Sequence, residues 1–243
     1  MTNATYVLVH GAWMGQFAWV EIVPRLAAQG HEVVTLDLPA HGDDPTPPEA
    51  ASLEGYRDAV IAAIGDRRDV ILVGHSMGGM VVSAVAEAIP GRLKSLVYLC
   101  AYLPRSGESL YQLSSEDQAS TVGAYWREED PASYSPAWIA EEGIVTAFAA
   151  DCPPTYQQIL IERHREEPVP PFATPLTLSD GAYGTVPRVY IETLNDRAVS
   201  HQLQELMLSR VAVGRRFQLP SSHSPFFSMP DALVACLTAI AGV

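Results

Sequence analysis

Five consecutive residues, Gly74-His75-Ser76-Met77-Gly78, with Gly79 behind them, carry the strongest chemical signal in the chain. They match G-x-S-x-G, directly after the apolar stretch DVILV (residues 69–73) and directly before an apolar helical pattern. A serine on a sharp strand-to-helix turn is presented to a substrate carbonyl, and the flanking glycines remove side chains that would collide with neighbouring backbone. The helix start aims N–H groups and the positive end of its dipole at developing negative charge. The chemistry that suits Ser76 is nucleophilic acyl transfer.

A serine hydroxyl needs a base to take its proton. On a strand-elbow-helix scaffold the chain order is serine, acid, histidine. Three histidines follow Ser76: His164, His201 and His223. His164 lies in the charged run ERHREE and reads as a solvated helix face. His201 falls at a helix start. His223 sits in LPSSHSP, a polar loop after the last strand pattern, and is the expected base. The acid that orients it should follow a strand, and RVYIETLNDRA places Asp196 there. Glu192 competes but belongs to the strand itself. The other location for an acid, after the fourth strand, holds Cys100 and Ala101. Two backbone amides should stabilise the oxyanion: Met77, just after the serine, and Ala12, in the His10-Gly11-Ala12 loop after the first strand. His10, His41 and His75 read as structural hydrogen-bonders.

These residues need a scaffold. Short apolar, β-branched runs at 6–10, 32–36, 69–73 and 93–99 alternate with helical patterns at 17–29, 52–64 and 76–88. Continuous apolar strands separated by helices predict a parallel sheet covered on both faces. The rhythm breaks between 102 and 184, where helical patches near 136–149 and 154–165 replace it. It resumes with a strand at 188–192, a helix near 200–210, a strand at 215–219 and a final helix from about 231. The expected architecture is a sheet of about six strands with a helical lid inserted after the fourth. That lid should stand above the carboxyl ends of the strands, where open α/β sheets bind ligands. Its Trp126, Trp138 and Phe148, together with Trp13 and Met14 from the first loop, are the expected substrate-binding residues.

Composition sets limits on function. The chain has 243 residues and a net charge of −13, which argues against nucleic acid and against an anionic membrane surface. Cys100, Cys152 and Cys236 form no CxxC, so neither a disulfide framework nor a zinc site is expected. The N-terminus lacks a signal-peptide pattern, and the longest apolar run, at the C-terminus, is too short to span a bilayer. A soluble, cytoplasmic protein is expected. GHSMGG is not G-x-G-x-x-G and has no P-loop lysine, so no nucleotide, metal or other cofactor is implied. The expected partners are a small ester-like substrate and, at most, a second copy of the chain.

With these residues in place, the chain resembles the α/β-hydrolase branch of plant methylesterases, hydroxynitrile lyases and their bacterial relatives that cleave esters and carbamates. The resemblance rests on YVLVHGAWMG, LDLPAHG, VILVGHSMGG, LVYLCAYLP, YGTVPRVYIETLNDRAVS and LPSSHSP. It implies an α/β-hydrolase fold in one domain, 1–243, with 103–185 as the lid, the part that matches least. Hydroxynitrile lyases of this type carry threonine where this chain has Gly11 and lysine where it has Ser224. Both differences point to hydrolysis of an ester or carbamate. A hydroxynitrile lyase-type or cofactor-free non-hydrolytic enzyme and a non-catalytic small-ligand receptor remain the alternatives on this fold. A haloalkane dehalogenase, which needs aspartate as nucleophile, does not fit Ser76.

Overall fold

Six strands form one sheet, in the order 32–35, 5–9, 70–75, 93–99, 188–193 and 215–219, with every neighbouring pair parallel and the last strand mostly exposed. A computed structural model of the chain describes residues 3–130 and 135–242. The sheet strands are β1 (Thr5–Val9), β2 (Glu32–Thr35), β3 (Val70–His75), β4 (Leu93–Leu99), β7 (Arg188–Thr193) and β8 (Arg215–Leu219). β3 is buried along its whole length, which explains its unbroken apolar run: helices cover both faces, so no residue needs a polar side chain. Each fully buried Val, Leu or Ile contributes about 1.5–3 kcal/mol relative to exposure.

The covering helices include α1 (Ile22–Ala28), α2 (Leu53–Ile64), α3 (Gly78–Ala88), α9 (His201–Arg210) and α11 (Pro230–Ala241). α1 packs with α11, and α2 with α3. Ser52 caps α2, its Oγ accepting from the Gly55 amide at 3.0 Å, a contact worth about 1 kcal/mol. A helix over 17–29 does not form as one piece. A 3-10 turn, Gln16–Trp19, precedes α1 instead. Pro24 is the reason: inside a longer helix it would remove a hydrogen bond and clash with the preceding turn, whereas the first turn of α1 tolerates it.

Between β4 and β7 lies the inserted segment. It holds α4 (Leu110–Ser115), α5 (Val122–Tyr125), α6 (Glu141–Gly143), α7 (Pro154–Arg163) and α8 (Pro170–Ala173). It also holds a small antiparallel pair, β5 (Trp126–Glu128) with β6 (Ala137–Ile139), where the sequence suggested helix from 136 onward. Ala137 and Ile139 are buried and Trp138 between them is not, a period of two that three residues are too short to announce. Among the described residues, no helix is long and apolar enough to cross a membrane.

Candidate active site

Ser76 occupies the bend between β3 and α3 with φ of +54°, left-handed and strained for a residue with a Cβ. The bend is held on both sides. The Ser76 amide donates to the Leu99 carbonyl (3.2 Å), and its own carbonyl accepts from Gly79 (3.0 Å) and Tyr102 (3.1 Å). Glycine is required at 74, where a Cβ would sit 2.5 Å from the Gly78 carbonyl oxygen. Helix α3 starts at Gly78 rather than at Ser76, so the serine belongs to the turn.

The loop after β8 carries His223 to this bend, ahead of the short helix α10 (Pro225–Ser228). Its ring lies 4.5 Å from that of His75, the residue before Ser76. His223 Nδ1 is 2.8 Å from Asp196 Oδ2. Asp196 lies in the turn after β7 and is saturated with donors: Thr193 Oγ1 on Oδ2 (2.7 Å), and the Ala198 and Val199 amides on Oδ1 (2.8 and 3.0 Å). An ionised carboxylate only accepts, so Nδ1 carries a hydrogen, and in the neutral imidazole Nε2 then presents its lone pair. That Nε2 is buried and has no hydrogen-bond partner among the described residues. The His223 carbonyl is fixed from behind by His75 Nε2 (2.9 Å) and, more weakly, by Cys100 Sγ (3.5 Å). His75, Cys100 and His223 lie close enough to suggest a metal site. Two of the three, however, direct their donors at this one carbonyl. Burial, reinforced by the neighbouring His223, drives the His75 pKa well below the ordinary histidine value.

The competing residues lie elsewhere. Glu192 is buried on β7 but bonds Arg216 through both oxygens (2.8 Å each) and His201 (3.0 Å). Burial works against its charge, yet these bonds hold its carboxyl at about 2. His201 is thus half-buried against Glu192, and His164 turns Nδ1 to the Ile161 carbonyl (2.9 Å). Neither meets Asp196. Thr193, which braces Asp196, escaped the sequence reading, although its spacing three residues ahead of the acid is visible in TLND.

Gly11 and Ala12 pass directly beside Ser76. A Cβ on Gly11 would lie 2.8 Å from Ser76 Cβ and from His75 Nδ1, so this site has no room for threonine. Among the described residues no protein acceptor takes up the Ala12 or the Met77 amide. The next amide on, Trp13, is taken by Glu167. Ser76, Ala12 and Met77 all line a cavity of about 260 Å³ beneath the inserted segment.

Its walls are aromatic. Trp13, Trp126 and Phe148 line it as the sequence suggested, joined by Tyr111 and Phe172. Trp13 contacts Trp126, Phe148 and Phe172 at ring centroid distances of 5.6, 5.6 and 6.0 Å. Phe148 also lies 5.6 Å from the His223 ring. Two expected wall residues are absent. Trp138 points to the opposite face of β6 from buried Ala137 and Ile139. Met14 is buried in the core and does not line the cavity.

Residues 6–236 match the Alpha/beta hydrolase family. A protein of Arabidopsis thaliana that carries the name methylesterase 12 is 30% identical, over 98% of this chain and 72% of its own length. The structure of a pyrethroid hydrolase from Sphingobium faniae superposes with a TM-score of 0.86 at 25% identity, covering 100% of this chain and 98% of that one. A polyneuridine aldehyde esterase variant superposes at 0.89 with 21% identity, covering 99% and 100% of the two chains, a likeness of fold. The chain belongs to the alpha/beta hydrolase family.

Proposed function

We propose that this chain is a carboxylic ester hydrolase that works by two-step acyl transfer, with Ser76 as nucleophile, His223 as base and Asp196 as the acid that orients it. Ester hydrolysis as the reaction class rests on family membership and on relatives named as methylesterases and esterases. The observation that carries the finer reading is the state of His223: Nδ1 is tied to a fully bonded carboxylate, while Nε2 is left buried and unpartnered beside the serine turn. In this mechanism Nε2 takes the Ser76 proton as Oγ attacks the carbonyl carbon. The Ala12 and Met77 amides receive the oxyanion. His223 then gives the proton to the departing alkoxide, and a water molecule repeats the sequence on the acyl-enzyme.

The cavity suits an uncharged substrate with one aromatic or branched apolar group, which burial against Trp13, Trp126 and Phe172 would reward. Carbamates present the same carbonyl geometry and belong to the proposed range. Three free cysteines suit a reducing compartment such as the cytoplasm. Steady-state hydrolysis of an aryl acetate by Ser76→Ala and His223→Ala tests the reading. Each is expected to lose about 10³-fold or more in kcat, with the double variant little worse than either single. Retention of a tenth of the activity by folded Ser76→Ala would overturn it.

A further inference from the structure

Glu167 is a fully buried carboxylate that the proposed chemistry leaves without a task. It lies just after α7 in the inserted segment, and its backbone pairs with Ala137 across a two-bond bridge (2.9 and 2.7 Å). Its Oε2 accepts from the Trp13 amide at 2.6 Å and faces His41 Nε2 at 2.9 Å, while Oε1 has no hydrogen-bond partner among the described residues. The other nitrogen of His41, Nδ1, faces the Pro39 carbonyl at 3.0 Å. Opposite an ionised Glu167 both ring nitrogens meet acceptors, which the imidazolium satisfies. Burial opposes that charge, but the Glu167 carboxylate outweighs it and raises the His41 pKa. The same carboxylate adds to burial in pushing up the phenol of Tyr56, whose ring packs edge-on against His41 at 5.4 Å.

His10 completes the set. Its Nδ1 donates to the Gly11 carbonyl at 2.8 Å and its Nε2 accepts from the Leu38 amide at 3.1 Å, which together specify one neutral tautomer. Burial, with the His41 charge 5.0 Å away between ring centroids, lowers its pKa to about 3. Ala12 therefore sits between two pinned peptides. A trans peptide is planar, and its C=O and N–H point in opposite directions. The bond from His10 to the Gly11 carbonyl thus fixes where the Ala12 N–H points. The bond from the Trp13 N–H to Glu167 fixes the plane on the other side of Ala12. These two anchors restrain the φ and ψ of Ala12, and Trp13 beyond it is left-handed (φ +59°).

We propose that Glu167, backed by His41, is a positioning residue for the oxyanion site: by holding the Trp13 amide from the lid side, it anchors the peptide that follows Ala12, as His10 anchors the one before it, and so keeps the Ala12 amide on its aim. This rests on the reading of Ala12 as an oxyanion donor. It makes the seating of the lid part of the catalytic geometry, since the lid also takes Trp13 through Nε1 to the Ala137 carbonyl (3.1 Å) and through the Trp13 carbonyl from the Arg165 amide (3.4 Å).

The test compares Glu167→Gln with Glu167→Leu. Both remove the buried charge and have similar size, but only glutamine offers the Trp13 amide an oxygen. Two quantities are measured: kcat and KM on an uncharged aryl ester, and the affinity of an aryl boronic acid whose tetrahedral adduct on Ser76 places an oxygen at the oxyanion position. Glu167→Gln is expected to stay within about threefold of the parent in kcat. Glu167→Leu is expected to lose about tenfold or more in kcat, with KM within about threefold and boronate affinity falling in parallel, since misplaced oxyanion donors act on the transition state. If Glu167→Leu does not fold, Glu167→Asp decides in its place, because it keeps the charge but withdraws the acceptor by one methylene; the same kcat-weighted loss is required. Equal activity of the glutamine and leucine variants, or a kcat loss with unchanged boronate affinity, overturns the proposal. Ser76→Ala, assayed alongside, separates the two levels. An active Ser76→Ala removes the underlying mechanism, whereas a dead Ser76→Ala beside a normal Glu167→Leu removes only the role of Glu167.

Discussion

Asp196 and Glu192 are both buried carboxylates near the ends of the same strand, yet their partners assign them different work. Asp196 accepts from Thr193, two backbone amides and His223, so its charge is spent on orienting an imidazole. Glu192 pairs with Arg216 and meets His201 Nε2 at the side of the sheet. Asp196→Asn should keep the fold and cut kcat by about 10³–10⁴-fold, because an amide N–H facing Nδ1 favours the wrong tautomer. Glu192→Gln should leave kcat within about threefold and instead lower stability by about 1–3 kcal/mol, through loss of the charge-assisted bonds that its buried carboxylate makes to Arg216. Assaying the two purified variants side by side, with urea unfolding for each, checks both statements. The reverse pattern would mean that the wrong carboxylate had been chosen.

At the level of elements, the inserted segment lines much of the cavity and the sheet carries the proposed triad. Trp126→Ala and Phe148→Ala should each shift the ratio of kcat/KM between bulky and small esters by about 1–3 kcal/mol, as a pocket wall is lost. Trp138→Ala, on the outer face of β6, should change that ratio by less than about 0.5 kcal/mol. Equal effects at 126 and 138 would contradict the geometry. The same division explains what the sequence made legible. Ser76, His223 and Asp196 stand in short local patterns, GHSMG after a strand, SSHSP after a strand and TLND after a strand, because each turn must be built from neighbouring residues. The inner strands β1, β3 and β4 were legible for a related reason: burial on both faces forces apolar runs. The lid is different. β5 and β6 are three residues each and are settled by tertiary contacts such as Trp13 Nε1 to the Ala137 carbonyl. Glu167 was hidden in ERHREEP, a charged run that reads as solvated until the fold buries its last carboxylate. Pro24 was visible but its consequence, the break before α1, depends on where the helix is forced to start.

For the whole molecule, buried neutral histidines set the response to acid. His10 and His75 both have pKa values pushed below the ordinary 6.5, in each case chiefly by burial. As pH falls below about 6.5 the unfolded chain binds protons that these two folded sites refuse, so stability declines by up to about 1.4 kcal/mol per pH unit for each. His41 has the opposite sign. Its raised pKa gives stability that is complete below about 6.5 and is lost as pH climbs through the folded value. Denaturant unfolding should therefore show a loss of roughly 2–3 kcal/mol between pH 6 and 5, ahead of any carboxylate protonation, and a smaller decline on the alkaline side. Flat stability between pH 6 and 5 would contradict the neutral assignment of His10 and His75. The central claim, a covalent intermediate on Ser76, is also read on the whole chain, by intact mass. Incubation with an aryl dimethylcarbamate, whose carbamoyl-enzyme hydrolyses slowly, should add one carbamoyl group per chain, and digestion should place it on the peptide that carries Ser76. The adduct should be absent from Ser76→Ala and form far more slowly in His223→Ala. Turnover of the same ester by a chain that never gains mass, or an adduct on any other residue, would contradict the account.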